Sequence, residues 1–262
     1  MANAGRHDAW AAPPTARAPV PGPVLFGRYA FGPNRLGYCG TDDHAALLGH
    51  AASQDDRELR VLARSFEGAY PYLELIARSA GISDPLDTRV VEAYWLGNDL
   101  TAGVTPSGLH RSLDERFRAR VSANTWRWLE ATVPAGARPV HAFHVLDVFP
   151  RIGLLRGGEV DDVLKAVDSC RIRWGRVTSV QDGTLTVDAP ALAMVDGRLC
   201  IGPPRSEMVE RWVDGIGFVD DVRAGDVISL HWGWACDRLS PRQLANLVAW
   251  TEFELRVANR TM

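Results

Sequence analysis

A chain of 262 residues with 46% hydrophobic content is long enough to bury a sizeable core, as one large domain or two of ordinary size. Its net charge of -3 argues against a nucleic-acid or anionic-membrane footprint. No run approaches the roughly 20 apolar residues that span a bilayer, and Met1 to Pro23 has no continuous apolar stretch of the secretory kind. No membrane association is therefore expected, and the cytoplasm is the expected compartment, where the four separated cysteines, Cys39, Cys170, Cys200 and Cys236, remain free thiols.

Residues 1–23, rich in Ala and Pro without periodicity, read as a disordered leader, with the folded chain beginning near Leu25. Residues 24–168 read as a mainly helical domain. Four glycines between Phe26 and Gly40 argue against a regular helix, so an ordered loop is expected there. Thr41 is placed to cap the next helix, with Asp42 and Asp43 in its first turn. Ser53 with Asp56 opens another, on which Leu59, Leu62 and Phe66 share a face. Leu73, Ile76 and Ala80 continue the pattern after Pro71, and Gly81 ends it. Asp84-Pro85 starts a helix stopped by Gly97, and 109–120 and 123–132 read as two more. Val140 to Phe149 fits either an apolar helix or a buried strand. Val160 to Asp168 reads as a helix.

Residues 169–239 read as a small β module, because Asp182-Gly183 and Asp196-Gly197 separate short β-prone runs and accept the positive φ of tight hairpins. Ser240-Pro241-Arg242-Gln243 is a capping box with proline at the first helical position. It opens a final helix over 240–262, with Leu244, Leu247, Val248, Thr251 and Leu255 on one face. The expected fold class is α+β, a helical half followed by a small closed β module and a C-terminal helix.

Three groups carry candidate chemistry. Cys39 lies just ahead of a helix start, where partial positive charge favours thiolate, and Asp42 and Asp43 beside it could take a proton. With Cys39, Asp42 and Asp43 as catalytic candidates, Arg28, Asn34, Arg35, Tyr38, Trp232 and Trp234 are the candidate substrate-binding residues; on a strand, Trp232 and Trp234 share a face and could wall a pocket. His141-x-x-His144-x-x-Asp147 would share one face on a helix and separate on a strand. No P-loop or dinucleotide fingerprint is present, since Gly215-Ile216-Gly217 lacks the third glycine and the helix that follows.

The opening Cys170-x-x-x-x-Gly175-x-Val177 and closing Gly225-Asp226-x-x-x-x-His231-x-Gly233 resemble the HypC/HupF family of small nickel-iron hydrogenase maturation chaperones, over about a quarter of the chain. The resemblance implies an OB-like barrel with a trailing helix. It further implies that Cys170 and His231 come together as metal ligands, that iron is the cargo, and that a metalloenzyme subunit is the protein partner. In that family the cysteine directly follows the initiator methionine, whereas Cys170 is internal, behind Ser169. The whole chain also resembles an uncharacterised actinobacterial family that shares Tyr-Ala-x-x-Pro-Asn-x-Leu-Gly-Tyr-Cys-Gly, here Tyr29 to Gly40, and whose genes often lie beside hydrogenase genes. Two functions follow as expectations. One is an accessory or maturation factor for a hydrogenase-type metalloenzyme. The other is an enzyme of specialised metabolism in which an amine displaces a neighbouring sulfate or phosphate ester, with a carboxylate as base and arginines on the leaving group.

Overall fold

The computed structural model of the chain describes residues 19–151 and 160–261. Its first element corrects the sequence reading: instead of a loop, helix α1 runs over Gly22–Arg35. Burial explains the reversal, because twelve of its fourteen residues are buried and tertiary packing outweighs the weak helix propensity of glycine. The glycines let neighbours approach. A Cβ at Gly22 would collide with the Leu86 carbonyl and one at Gly32 with the His231 carbonyl, while one at Gly27 would sit 3.1 Å from the Ala51 methyl. Gly22 and Pro23 thus belong to the fold rather than to the expected leader; residues 1–18 of that leader lie outside the described residues.

Around α1 pack α2 (His44–Ser53), α3 (Asp56–Ala63), α4 (Tyr70–Ser79), α5 (Thr88–Trp95), α6 (Asp99–Gly103), α7 (Pro106–Phe117) and α8 (Ala123–Ala131). The caps lie a residue or two from where the sequence puts them. Asp43, not Thr41, caps α2 by accepting the Ala46 N–H at 2.9 Å. Asp55 caps α3 in place of Ser53, whose hydroxyl instead donates back to the Gly49 carbonyl. The ambiguous stretch is helical, as α9 (His141–Phe143), a π-helical turn over His144–Val148, and α10 (Phe149–Arg151). Helix α11 (Val160–Cys170) then delivers the chain to the sheet.

Five strands, β1 (Arg173–Val180), β2 (Thr184–Val195), β3 (Arg198–Glu210), β6 (Val227–His231) and β7 (Trp234–Arg238), pair in the order β1-β2-β3-β7-β6, and β6 pairs on its other side with β1, so the sheet closes on itself. The hairpin turns fall on Asp182-Gly183 and Asp196-Gly197 as the sequence predicts, with φ of 71° at Gly183 and 49° and 72° at the second pair. Pro190 and Pro204 face each other across the β2–β3 ladder, beside a register shift between Pro190 and Leu192. Between β3 and β6, β4 (Trp212–Val213) and β5 (Ile216–Gly217) form a two-stranded hairpin, which accounts for Gly215-Ile216-Gly217. Val177, Leu185, Val187, Ala189, Ile228 and Leu230 fill the closed sheet.

Trp232 and Trp234 do not share a strand face. Trp232 (φ 54°) and Gly233 (φ 73°) form the two-residue turn between β6 and β7, whereas Trp234 is fully buried, its ring 4.9 Å from that of Phe31. Helix α12 (Pro241–Thr261) has the expected capping box: Gln243 N–H donates to the Ser240 hydroxyl at 3.3 Å and Ser240 N–H to the Gln243 side chain at 3.0 Å. One hydrophobic cluster runs from Val24 to Ala258 and includes Trp174 and Trp234, so helices and sheet share a core. No helix among the described residues is long and apolar enough to cross a membrane.

Candidate metal centre

Where the helices meet the sheet, three element ends converge. His141 opens α9, Cys170 closes α11 and His231 closes β6. A ligand atom from each lies within 4.8 Å of the other two. Local folding sets the geometry. Trp232 N–H donates to the Ser169 carbonyl at 2.9 Å, which pins the β6–β7 turn to the end of α11. Gly32 lets the His231 backbone lie against α1, and the His231 imidazole reaches the carbonyl of Tyr29, one turn earlier, at 2.7 Å from Nδ1.

That carbonyl can only accept, so Nδ1 of His231 carries the proton and Nε2 presents its lone pair. His231 Nε2 is buried and has no hydrogen-bond partner. An imidazole whose one nitrogen donates to a backbone carbonyl while the other is bare is the arrangement of a metal-ligating histidine. His141 is held at both ends, Nε2 donating to the Cys170 carbonyl at 2.8 Å and Nδ1 accepting from the Tyr94 hydroxyl at 3.1 Å. Trp95 lies against both, its ring 4.7 Å from that of His141 and 5.8 Å from that of His231.

Burial controls the electrostatics. It holds the His231 imidazole down to about 4, against the opposing pull of the Tyr29 and Cys170 carbonyls, and holds His141 well below its ordinary value, with the neighbouring His231 adding to the effect. Both are therefore neutral at pH 7, the ligand form. Burial pushes the Cys170 thiol up to about 12, opposed by the nearby Trp232 indole. Cys39, though exposed as a residue, has a thiol crowded by protein atoms. That burial, with the charge of Cys170 second, also raises it to about 12. A bound divalent cation reverses this penalty, because a coordinating thiol is deprotonated outright.

The donor set, one thiol and the bare nitrogen of His231, with His141 a third donor once one of its two hydrogen bonds is released, fits a borderline or soft transition metal such as iron or zinc and disfavours Mg²⁺ or Ca²⁺.

The other candidates are placed differently. Of the His141, His144 and Asp147 row only His141 joins the centre. His144 Nδ1 faces the Tyr72 hydroxyl at 3.4 Å, and Asp147 accepts from Arg151 at 2.6 Å and from the Thr261 hydroxyl at 3.3 Å. Arg28 is held by Asp237 at 2.9 Å in a largely buried ion pair, and Arg35 pairs with Glu210. Asn34 is buried and donates to the carbonyls of Cys39 at 2.7 Å and Thr41 at 2.6 Å, which shapes the loop between α1 and α2. Tyr38 is exposed and stacks on Trp232 at 4.1 Å. Asp43 is occupied as a helix cap. Asp42 lines a cleft of about 200 Å³ with Asn34, Arg35 and Cys39. Cys236 is buried in the core and Cys200 is a half-buried strand residue. Sequence reasoning missed Tyr29, which falls in the expected loop, and Tyr94 and Trp95, which pass for ordinary apolar helix positions.

Residues 18–262 match a family described as a family of unknown function (DUF6390), and the chain belongs to that family. No curated protein and no solved structure matches it.

Proposed function

We propose that this DUF6390 protein is an accessory or maturation factor for a nickel-iron hydrogenase-type metalloenzyme, that its closed sheet is an OB-like barrel of the HypC kind, and that the cargo is an iron centre held by Cys170 and His231 with His141. One observation carries the reading: a fully enclosed imidazole whose Nε2 has no partner lies beside a thiol and a second neutral imidazole. Leaving such an atom unpaired costs about 1–3 kcal/mol, and a metal would satisfy it. The carbonyls of Tyr29 and Cys170 orient the two rings, and Trp95 shields them from water. For docking on a client, Met208, Val195 and Met194 are exposed at 73%, 55% and 40% along the β2–β3 hairpin. The test is anaerobic co-purification with the hydrogenase large subunit and metal analysis. Client and iron should travel with the wild type and be lost with Cys170→Ala. Intact hydrogenase maturation in a strain carrying Cys170→Ala ends the reading.

A second reading, an enzyme of specialised metabolism that closes an amine onto a carbon bearing a sulfate or phosphate ester, draws on the cleft that gathers Asn34, Arg35, Cys39 and Asp42. Its parts are reduced, since Arg28 is engaged by Asp237 and Asp43 by the α2 N-terminus. Unchanged turnover in the Asp42→Asn, Asp43→Asn double variant would remove it.

A further inference from the structure

We infer that Tyr94 is the positioning residue of the centre: its hydroxyl lets the His141 imidazole exchange one neutral tautomer for the other, so that Nε2 is bared on the Cys170 side while Nδ1 becomes the N–H end. This rests on the reading of His141, Cys170 and His231 as a metal centre, and it goes further by naming the ligand nitrogen of His141 and the side chain that frees it.

The two imidazoles are not equally prepared. His231 already donates from Nδ1 to the Tyr29 carbonyl and has a bare Nε2. His141 holds the opposite tautomer. Its Nε2 lies 2.8 Å from the Cys170 carbonyl, which can only accept, so the proton is on Nε2 and the Nδ1 lone pair takes the Tyr94 hydroxyl at 3.1 Å. The ring thus turns Nε2 toward the residue that carries the thiol and Nδ1 toward α5. Turning the ring over is obstructed, because it is buried and packed against Trp95 at 4.7 Å, His231 at 5.1 Å and Tyr94 at 5.5 Å. Moving the proton is easier, and the Tyr94 hydroxyl has the partners for it. The same oxygen lies 3.4 Å from the Gly68 carbonyl. With the proton on Nδ1, the Tyr94 oxygen accepts it and the hydroxyl hydrogen turns to the Gly68 carbonyl. Two hydrogen bonds are exchanged for two: Nε2–H to Cys170 and O–H to Nδ1 give way to Nδ1–H to Tyr94 and O–H to Gly68. One N–H bond breaks and one forms, and the imidazole stays neutral throughout.

A ligating histidine whose second nitrogen donates to a fixed acceptor is the arrangement His231 already has, and the exchange gives His141 the same one. A phenylalanine at position 94 offers no acceptor, so Nδ1–H would be buried with nothing to bond. Tyr72 serves as the comparison. It stacks on Tyr94 at 5.7 Å and is also buried, but its hydroxyl faces His144 at 3.4 Å instead of the centre.

The experiment compares the metal-free full chain with the same chain loaded with zinc, both with isotope-labelled histidine ring nitrogens, and reads from long-range proton–nitrogen correlations which nitrogen of each ring carries the proton. His231 should show Nδ1–H in both. His141 should show Nε2–H without zinc and Nδ1–H with it. By competition with a chelator, Tyr94→Phe should weaken zinc binding about tenfold or more, whereas Tyr72→Phe, which also removes a buried hydroxyl, should bind zinc as the wild type does. Retention of Nε2–H on zinc-loaded His141 would overturn the assignment, and that measurement needs no variant to fold. Wild-type affinity in Tyr94→Phe, or an equal loss in Tyr72→Phe, would overturn the role of the Tyr94 hydroxyl. Failure of the wild type to take up zinc at all would instead overturn the metal centre itself.

Discussion

His231 shows how much one position can depend on another far away in the chain. Its ring is oriented by the Tyr29 carbonyl, and its backbone sits where it does because residue 32 has no side chain. Gly32→Ala should therefore destabilise the protein by about 1–3 kcal/mol, as overpacking does, and weaken metal uptake by moving the imidazole. Urea unfolding and metal titration of the same variant check both halves. Asp43 offers a contrast. Its carboxylate accepts the Ala46 N–H, so Asp43→Ala should cost about 1 kcal/mol. Asp43→Asn, an equally good cap, should be silent in thermal unfolding and in metal binding.

At the scale of elements, the end of α11 is the part on which the centre leans. Arg171 follows Cys170 directly and is wholly buried, its guanidinium donating to Asp168 at 2.8 Å and to the Pro190 carbonyl at 2.7 Å. Burial holds that guanidinium down to about 10, with Asp168 opposing the effect. Asp168→Asn would leave the cation without its carboxylate, and a loss of about 3–5 kcal/mol is expected, measurable by denaturant unfolding. Because the Asp168 carboxylate also accepts the Leu192 N–H of β2 at 2.8 Å, the loosened helix end should displace Cys170 as well. The β7–α12 junction is less demanding: Ser240→Ala removes one half of a capping box and should cost about 1 kcal/mol.

For the whole molecule, the shared core makes helices and sheet one cooperative unit. Circular dichroism of the helices and tryptophan fluorescence, which draws on Trp174 and Trp234 of the sheet as well as Trp95, Trp126 and Trp250 of the helices, should give coincident transitions. Three histidines in that core tie stability to pH. Burial holds His144 to about 3, with Arg116 adding to the effect, His231 to about 4, and His141 well below its ordinary value. Below pH 6.5 the unfolded chain takes up protons that these folded histidines refuse, so stability falls on acidification by about 1.4 kcal/mol per pH unit for each. Asp147, raised to about 6 by burial, and Glu254, raised by burial and by Asp147, act oppositely. They are protonated in the fold at low pH, and the stability this confers is lost as pH rises through their folded values. Three groups against two leave a net loss between pH 6.5 and 4. The urea midpoint of the metal-free protein should drop across that range, with His144→Gln flattening the slope by about one proton.

The sequence by itself determined the features that are local in origin. The Asp-Gly turns, the Ser240 capping box, Gly81 and Gly97 as helix stops, and the helical face of α12 all follow from one residue's φ preference or from side chains a turn apart. It also singled out Cys39, while the family resemblance paired Cys170 with His231. Only the tertiary structure decided that α1 is a helix, since its glycines are there for close approach by Leu86, Ala51 and His231 rather than for bending. The same holds for His141, which leaves His144 and Asp147 to other partners and joins Cys170 and His231 instead. The centre draws on residues 29 to 231, and no periodicity spans that separation. Such a site exists only once burial has fixed which element ends meet.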